Sequence, residues 1–429
     1  MSTNPRASGR LIIWLVTVGE PLPILSPGAR LWRTGILAST LAARGHDVIW
    51  WTSRFDHFRK QVFESADPFV AAPNLRIRFL EGAPYARNIS FRRLLNHYQI
   101  ARHFRRSWRG ERRPDIIVCS FPTIELSNEA GRIARDYGIP LILDIRDLWP
   151  DIIVARAPRA LRWLGRTLLS RYFALTRESM RGASALIAVS EGYLQWGLRH
   201  AQRSREARDL VVPLGYSLPD EQRPERERAR REAAELGADP GGILCVFSGT
   251  FGRTYDLGPV LQAAMQLERL GARFSFIICG DGERAGEWRT QAVAARNVVF
   301  TGWLDQKRIH SVLAASDIGL AAYAAGAPQG IPNKVIEYMA AGLPVLSSLA
   351  GECAELLKAT QTGLTYDAGD VRSLVRALLD LSGDEHRLRL ARNARATFEE
   401  RFRAESVYSS LADQVERWAQ CVGGKEWQD

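Results

Sequence analysis

Short apolar runs alternate with helical patterns along most of this 429-residue chain, and the alternation occurs in two successive series. In the first series the runs have the length of buried strands, and the stretches between them repeat apolar residues at helical spacing. The predicted strands cover residues 11–18, 48–52, 75–80, 115–119, 141–144 and 185–189, and the predicted helices cover 31–44, 92–108, 124–137 and 161–181. Regular alternation of this kind predicts right-handed crossovers and a parallel, doubly wound sheet.

A second series starts after a charged, turn-poor segment at 199–239. Its predicted strands cover 243–248, 274–279, 298–301, 318–321 and 345–348, and its predicted helices cover 257–270, 283–295, 305–314, 333–341, 371–381 and much of 384–420. The chain is also too long for one ordinary core. We therefore predict two doubly wound, Rossmann-like α/β domains, namely 1–205 with a C-terminal helix at about 405–424 that crosses back to it, and 206–404. Such sheets would face each other across a cleft at their carboxyl ends, where ligands of doubly wound sheets bind.

The cysteine and hydropathy patterns favour a protein that stays in the cytoplasm. The five cysteines are far apart and form no Cys-x-x-Cys pair or Cys/His cluster, so neither a zinc site nor a disulfide framework is indicated. No segment resembles a secretory signal, and no apolar run approaches the roughly 18 residues of a membrane span.

The net charge of +11 is concentrated in two arginine-rich segments of the first half. Residues 81–113 hold nine arginines and two glutamates, and residues 155–182 hold seven arginines and one glutamate. Packing on the sheet explains the apolar residues of both segments but does not require the arginines. Anionic membrane surfaces attract such segments by about 1 kcal/mol per basic residue, so we expect a peripheral location at the inner face of the cytoplasmic membrane. A nucleic-acid partner is disfavoured, because no helix-turn-helix, RNP or zinc pattern is present.

Residues 329–348 carry the pattern that is most informative about function. A short loop with Gly330 and Pro332 opens a helix, and a helix N-terminus offers unpaired N–H groups and partial positive charge to a phosphate. Lys334 and Glu337 are three residues apart and share a helix face, so one can meet a diphosphate while the other accepts hydrogen bonds from a ribose. The alternative is a surface ion pair, worth only about 0.2–0.5 kcal/mol.

Two glycine-containing loops after predicted strands could approach the same nucleotide. Residues 247–253 include Gly252 and Arg253, which can offer backbone and guanidinium contacts to phosphate oxygens. Residues 280–284 form the second loop. Neither matches the Gly-x-Gly-x-x-Gly fingerprint or a P-loop, which disfavours a dinucleotide dehydrogenase and a P-loop NTPase.

The run Gly-Ile-Pro-Asn-Lys-Val-Ile-Glu-Tyr-Met-Ala-Ala-Gly-Leu-Pro-Val at 330–345 closely resembles the donor-site signature of family-four retaining glycosyltransferases, which have two Rossmann domains in a GT-B fold. It looks most like the bacterial subgroup that builds surface polysaccharides by transferring N-acetylated or deoxy amino sugars such as fucosamine. The resemblance covers nearly the whole chain and includes Arg-Gly-His-Asp-Val at 44–48, Val-Pro-Leu-Gly at 212–215 and Asn-Val-Val-Phe-Thr-Gly at 297–302.

This resemblance implies roles for the donor-site residues. Glu337 matches the second of two glutamates spaced eight apart and would bind the ribose, whereas the first, which contacts the transferred sugar, falls on Gln329. Glutamine can hydrogen-bond a sugar hydroxyl but supplies no negative charge to a developing oxocarbenium ion. The other implied donor contacts are the backbone of Gly330 and Ile331, the phosphate-binding Arg253 beside Gly252, and the N-terminal loop of Gly28, Ala29 and Arg30. The family's phosphate lysine falls on Asp256, so Lys334 or Arg30 would supply the missing charge.

On the acceptor side, many relatives carry a histidine after the fifth strand, and this chain has Arg146 there. Asp147 and Asp144 flank it and are candidates to orient or deprotonate the acceptor hydroxyl, although Asp147 could equally cap a helix. His97 is predicted to be a surface or groove residue and not a catalyst. The family implies retaining transfer with no metal and no other cofactor, in which the acceptor attacks from the face that the nucleotide leaves.

The expected partners are a nucleotide-sugar donor, UDP-linked, and a polyprenyl-diphosphate-linked or glycan acceptor. Two alternatives remain open. A nucleotide-sugar epimerase shares this architecture but needs acidic and histidine groups in the cleft that the sequence does not reveal. A non-catalytic glycosyltransferase-like partner protein would account for Gln329 and Asp256.

Overall fold

A computed structural model of the chain describes residues 9–24, 31–86, 90–155, 157–217 and 225–420. The chain packs as two units, one formed by residues 1–214 with 405–429 and the other by residues 215–404. Each unit has its own sheet, in which strands alternate with helices along the chain. The predicted pair of doubly wound α/β domains is therefore confirmed.

The first unit contains an eight-stranded sheet. Its strands are β1 Ile12–Val16, β2 Asp47–Ser53, β3 Phe69–Ala72, β4 Leu75–Leu80, β5 Ile116–Phe121, β6 Leu141–Ile145, β7 Ala185–Ala188 and β8 Leu210–Val211. They lie in the order β3-β4-β2-β1-β5-β6-β7-β8, and every pairing is parallel except that of β3 with β4. The winding reverses between β1 and β5, which makes their carboxyl ends the topological switch point where ligands of such sheets bind.

Seven helices follow these strands in the described part of the first unit. They are α1 Arg33–Ala43, α2 Phe91–Ser107, α3 Ile124–Tyr137, α4 Asp151–Ala155, α5 Arg162–Leu168, α6 Ser170–Gly182 and α7 Glu191–Ala201. Phe104 of α2 packs edge to face on Trp51 and Trp14, with ring centroids 5.1 and 6.1 Å apart. Helix α2 is thus fixed on the sheet by its apolar stripe, as the sequence predicts, and its arginines are left on the other faces.

The second unit contains a six-stranded sheet in which all pairings are parallel. Its elements are α8 Arg226–Glu235, β9 Ile243–Ser248, α9 Gly258–Arg269, β10 Phe274–Cys279, α10 Ala285–Gln291, β11 Val298–Gly302, α11 Gln306–Ala315, β12 Ile318–Ala321, α12 Asn333–Ala340, β13 Val345–Ser347, α13 Glu352–Thr360, β14 Gly363–Thr365, α14 Val371–Asp380 and α15 Asp384–Arg401. The strand order is β11-β10-β9-β12-β13-β14, so this sheet reverses its winding between β9 and β12.

The last described helix, α16 Ala404–Gln420, belongs to the first unit for nearly all of its length. Arg44, just after α1, donates to Asp413 at 2.6 Å and to the hydroxyl of Ser409 at 2.7 Å. The His46 Nε2 atom lies 2.9 Å from a carboxylate oxygen of Glu416. The predicted return of the C-terminal helix to the first domain is therefore visible in these contacts.

Several local predictions were wrong. The single helix predicted over 161–181 is two helices, because the backbone at Leu169 leaves helical angles (φ −96°, ψ 13°). The charged segment 199–239 holds β8 and α8, which the sequence pattern did not predict. Strand β3, an edge strand of four residues, and the two-residue β8 are too short to show a period. None of the helices in the described ranges has the length and apolar character needed to cross a membrane.

Candidate functional site

The loops after β9 and β12 meet at the switch point of the second sheet. An isolated antiparallel bridge pairs Tyr255, in the loop after β9, with Tyr323, just after β12. The hydroxyl of Tyr338 on α12 accepts from the backbone N–H of Ser248 at 3.1 Å and donates to the carbonyl of Leu320 at 3.2 Å. These bonds hold the first turns of α12 against the carboxyl ends of both strands, which is where a doubly wound sheet binds its ligand.

Lys334 lies inside this site and not on the surface. Its side chain is 5% exposed, and its Nζ lies 3.6, 3.9 and 5.4 Å from the ring centroids of Phe247, Tyr255 and Tyr323. We call these three rings the aromatic cage. Among the described residues, the amine has no hydrogen-bond partner. Burial lowers the pKa of Lys334 well below its ordinary value, and the nearby charge of Glu337 only partly opposes this. The alternative of an exposed ion pair with Glu337 is therefore wrong for Lys334.

Two glycines make the close packing of these loops possible. A Cβ on Gly280 would lie 1.9 Å from the carbonyl oxygen of Gly249, so no larger residue fits there. A Cβ on Gly249 would in turn lie 3.1 Å from the Nζ of Lys334. The two glycine-containing loops of the sequence thus meet, and one of them adjoins the buried amine.

Gln329 supplies a second unsatisfied polar atom beside the same helix. Its Oε1 is buried and accepts no hydrogen bond from the residues that the structure describes. Buried polar groups are almost always paired, so an unpaired one calls for an explanation such as a functional role. In the sequence, an amine and an acceptor that have no hydrogen-bond partner among the described residues thus stand on either side of the start of α12, with the half-buried Gly330 and Ile331 between them. A ligand that combines an anionic group with hydroxyl donors would satisfy both.

Among the described residues, the other predicted donor contacts are exposed or already engaged by neighbouring residues. The side chain of Arg253 is 89% exposed and pairs with Glu283 at 3.1 Å, and Gly252 beside it faces open space. Asp256 accepts from the backbone N–H of Gly258 at 3.2 Å and so caps the start of α9. The predicted N-terminal loop residues Gly28, Ala29 and Arg30 lie outside the described residues.

In the first unit, Asp144 at the end of β6 is locked in a buried ion-pair cluster. Arg33 donates to both of its carboxylate oxygens at 2.7 and 3.0 Å, and Arg146 donates to one of them at 2.8 Å. Burial alone would raise the pKa of Asp144, but Arg146 and Arg33 outweigh it and hold that pKa below its ordinary value. A carboxylate in this state is a poor general base, so the geometry argues against that role for Asp144.

Arg146 is occupied in the same cluster. It also pairs with Glu20 and donates to the hydroxyl of Thr34 at 2.9 Å. Burial opposes its charge, yet Asp144 and Glu20 raise its pKa above the ordinary value. Arg146 therefore fixes the end of β6, and Asp147, half-buried with one oxygen accepting from the N–H of Leu148 at 2.8 Å, is left as the acceptor-side carboxylate.

The aromatic cage is the part of the site that sequence reasoning missed. Its members come from two separate stretches of chain, β9 with the loop after it and the residues just after β12, and only the adjacency of β9 and β12 brings them together. The available signal was an aromatic residue near the carboxyl end of each of these strands. Within the described ranges, no group of three or more His, Cys, Asp or Glu side chains is arranged to hold a metal ion.

Comparisons with known proteins match both units. A model of the glycosyl transferase 4-like domain matches residues 32–215, and a model of the glycosyl transferases group 1 matches residues 243–384. The amylovoran biosynthesis glycosyltransferase AmsK of Erwinia amylovora is 33% identical over 171 residues, which are 38% of this chain and 42% of AmsK. The 2-deoxystreptamine glucosyltransferase of Streptomyces kanamyceticus is 26% identical over 204 residues, 43% of this chain and 52% of that protein. The chain thus spans about half, or less, of the curated relatives it matches.

The fold has close counterparts among solved structures. HepE of Anabaena, solved in complex with UDP and glucose, superposes with a TM-score of 0.67 over 95% of this chain and 100% of its own. Sequence identity in that superposition is 17%, so the likeness concerns the fold alone.

Proposed function

Because the chain belongs to the glycosyltransferases, with a glycosyl transferase 4-like domain at 32–215 and a glycosyl transferases group 1 domain at 243–384, we propose that it transfers a sugar from a nucleotide diphosphate to an acceptor hydroxyl. The donor is UDP-linked, its sugar is an N-acetylated or deoxy amino sugar, and the product is part of a bacterial surface polysaccharide. The observation that carries this proposal is that the residues around the start of α12 include two buried polar atoms without hydrogen-bond partners among the described residues, the amine of Lys334 and the Oε1 of Gln329.

Each of these groups matches one part of a nucleotide sugar. The diphosphate places negative charge at the helix N-terminus and Lys334, where burial strengthens the interaction. Glu337, one turn further along α12, accepts hydrogen bonds from the ribose hydroxyls. Gln329 accepts a hydrogen bond from a hydroxyl of the transferred sugar. The site therefore recognises a phosphate and two sets of hydroxyls, which a simple phosphate ligand would not satisfy.

The reaction we propose retains the configuration at the anomeric carbon. The bond from that carbon to the diphosphate oxygen breaks, and the acceptor oxygen forms its bond on the same face. The acceptor proton passes to the departing phosphate oxygen, and Lys334 stabilises the charge that develops there. Asp147 orients the acceptor hydroxyl, and no metal takes part.

Two observations support the finer parts of this proposal. HepE, which shares the fold, was solved with UDP and with glucose, and AmsK is a glycosyltransferase of amylovoran biosynthesis.

We also propose that the protein docks on the anionic inner face of the cytoplasmic membrane through the first unit. Trp163 is 67% exposed among the arginines of α5, and Phe91 is 91% exposed at the start of α2. Exposed apolar side chains among basic ones suit a lipid interface.

A thermal-shift panel of nucleotides and nucleotide sugars tests the function. A ligand at 100 times its dissociation constant stabilises the folded protein by about 2.7 kcal/mol, so UDP and one UDP-sugar should raise Tm by several degrees. Adenine and guanine nucleotides at the same concentration should shift Tm less. A panel in which no nucleotide or nucleotide sugar raises Tm would refute a donor site.

A further inference from the structure

A second group of charged and aromatic side chains lies at the carboxyl ends of β2 and β4 in the first unit. Its centre is Tyr85, which is buried and whose hydroxyl lies 2.6 Å from the Nδ1 of His57. The Nζ of Lys60 is 4.8 Å from the centroid of the Tyr85 ring, and the guanidinium carbon of Arg93 is 6.0 Å from it. Two cations from separate elements therefore converge on one ring. We call these four residues the Tyr85 cluster.

Arg93 is held in place by further contacts. Its guanidinium lies 4.7 Å from the ring centroid of Trp149, which follows β6. Its Nε donates to the Nε2 of His97 at 3.4 Å, and the Nδ1 of His97 lies 4.0 Å from a carboxylate oxygen of Glu125. His97 is buried, so it is not a surface residue, which was one of the two positions that the sequence left open for it. These contacts hold the Arg93 guanidinium between Tyr85, which follows β4, and Trp149, which follows β6.

The two imidazoles of this region add no positive charge. Burial and the charges of Arg93 and Lys60 lower the pKa of His57 to about 4. Burial, Arg93 and His57 lower the pKa of His97 to about 3. At neutral pH both rings are uncharged, so Arg93 and Lys60 are the cations that a ligand would meet here.

The nearby carboxylates are engaged by backbone groups. Asp56 accepts from the N–H groups of Phe58 and Arg59 at 2.7 and 3.0 Å, which shapes the loop that carries Lys60. Asp147 accepts from the N–H of Leu148 at 2.8 Å. Both carboxylates moderate the positive charge of the cluster, and Asp147 also stands where an acceptor hydroxyl would be oriented.

An exposed aromatic pair adjoins the cluster. Trp32, at the start of α1, and Phe58 stack edge to face with ring centroids 5.1 Å apart, and both are exposed. The Phe58 ring also contacts His57, with centroids 5.2 Å apart. Apolar surface beside two cations suits a ligand with an anionic group attached to an organic body.

We propose that Arg93 and Lys60 bind a phosphate or diphosphate group carried by the acceptor, with Trp32 and Phe58 contacting the part attached to it. This inference rests on the proposed function and deepens it, because it selects a phosphate-bearing acceptor over a neutral glycan. The guanidinium of Arg93 and the ammonium of Lys60 make charge-assisted hydrogen bonds to phosphate oxygens. A neutral acceptor would leave both cations without a ligand charge.

The test is isothermal titration of the full-length protein, with and without saturating UDP, using inorganic pyrophosphate, geranyl diphosphate and geraniol as probes. Arg93→Gln and Lys60→Gln each remove one cation of the Tyr85 cluster, and we call them the pocket variants. Their neighbours Arg92→Gln and Arg59→Gln are matched controls, because both side chains are exposed. We expect each pocket variant to bind geranyl diphosphate at least tenfold more weakly than wild type, and each control to bind it like wild type.

The outcomes separate the possible sources of the phosphate. If the pocket variants lose affinity equally for pyrophosphate and geranyl diphosphate, the site recognises the diphosphate itself. If they lose affinity for geranyl diphosphate and pyrophosphate does not bind, the site recognises a lipid-linked diphosphate. Both outcomes support the site. Equal affinities in pocket and control variants, or geraniol binding as tightly as geranyl diphosphate, overturn it. If Arg93→Gln unfolds by circular dichroism, Lys60→Gln decides. UDP binding is measured in a separate titration. If UDP does not bind, the donor function is refuted, but the comparison of the variants with geranyl diphosphate still tests the phosphate site.

Discussion

The amine of Lys334 lies 3.6 Å from the centre of the Phe247 ring, and no residue in the described part of the chain hydrogen-bonds to it. An aromatic face attracts a cation but does not replace the hydrogen bonds that an ammonium makes in water. The arrangement therefore carries an energetic cost in the ligand-free protein, and a bound anion would remove it.

Replacing Lys334 by Met should stabilise the ligand-free protein at neutral pH. The folded-state pKa lies below the unfolded value of about 10.4, so the unfolded chain binds the proton more tightly. Stability from this residue is complete above the unfolded pKa and is lost as pH falls through the folded pKa, by about 1.4 kcal/mol for each pH unit that separates the two pKa values. Urea unfolding at pH 7 and 10 should show wild type gaining on Lys334→Met as pH rises. The exposed Lys358→Met is the control, and an equal pH response in both variants would contradict a lowered pKa for the buried amine.

Replacing Glu337 by Ala should raise the KM for the nucleotide sugar by about tenfold to a hundredfold. Hydrogen bonds to a charged group contribute about 1.5–3 kcal/mol, and each 1.4 kcal/mol is a factor of ten. Steady-state kinetics with Glu355→Ala, an exposed glutamate of α13, as the control checks this. An unchanged KM would place the ribose elsewhere.

Gln329 should affect the sugar and not the nucleotide. Gln329→Ala is expected to weaken binding of the UDP-sugar while leaving the dissociation constant of UDP unchanged, since the Oε1 acceptor meets a sugar hydroxyl. Gln329→Glu should raise kcat, because a carboxylate stabilises an oxocarbenium ion better than an amide. Parallel calorimetry with UDP and the UDP-sugar, followed by turnover measurements, checks both. Equal weakening of both ligands by Gln329→Ala would argue for a general effect on α12.

Asn substitutions at Asp144 and Asp147 should have different effects, the first on stability and the second on catalysis. Asp144→Asn leaves the buried Arg33 and Arg146 short of a partner, and breaking such a cluster costs about 3–5 kcal/mol. Its Tm should fall by several degrees. Asp147→Asn should keep Tm within a degree or two and lower kcat about a hundredfold, in the range of a general-base or orienting group. A stable, inactive Asp144→Asn would restore Asp144 as a catalytic candidate.

Membrane docking should depend on Trp163. Trp163→Ser is expected to reduce co-sedimentation with phosphatidylglycerol vesicles at low salt several-fold, because it removes an exposed apolar anchor next to basic residues. Trp303→Ser is the matched control, since Trp303 is 64% exposed but belongs to the second unit. Neither protein should sediment with phosphatidylcholine vesicles. Failure of wild type to bind anionic vesicles would refute peripheral docking.

The sheets could be predicted from the sequence because their strands are continuous apolar runs. Strands such as Leu75–Leu80 and Phe274–Cys279 have the predicted bounds. Short edge strands such as β3 and β8 escaped, since they offer too few residues for a pattern.

The site was only partly predictable, for a different reason. Lys334 and Glu337 are close in sequence and were recognised as a pair, but the burial of Lys334 depends on rings from loops that only the sheet order brings together. The same limit explains Asp144, whose partner Arg33 lies 111 residues earlier in the chain.

The return of α16 has a consequence for how the polypeptide matures. Asp413, the partner of Arg44, lies 369 residues further along the chain, after the whole second unit. The first unit therefore cannot finish folding during synthesis when its own strands have left the ribosome, because the helix that caps it has not yet been made. We expect the nascent first unit to persist as an incomplete folding intermediate in which Arg44 and His46 lack their α16 partners until translation passes residue 420.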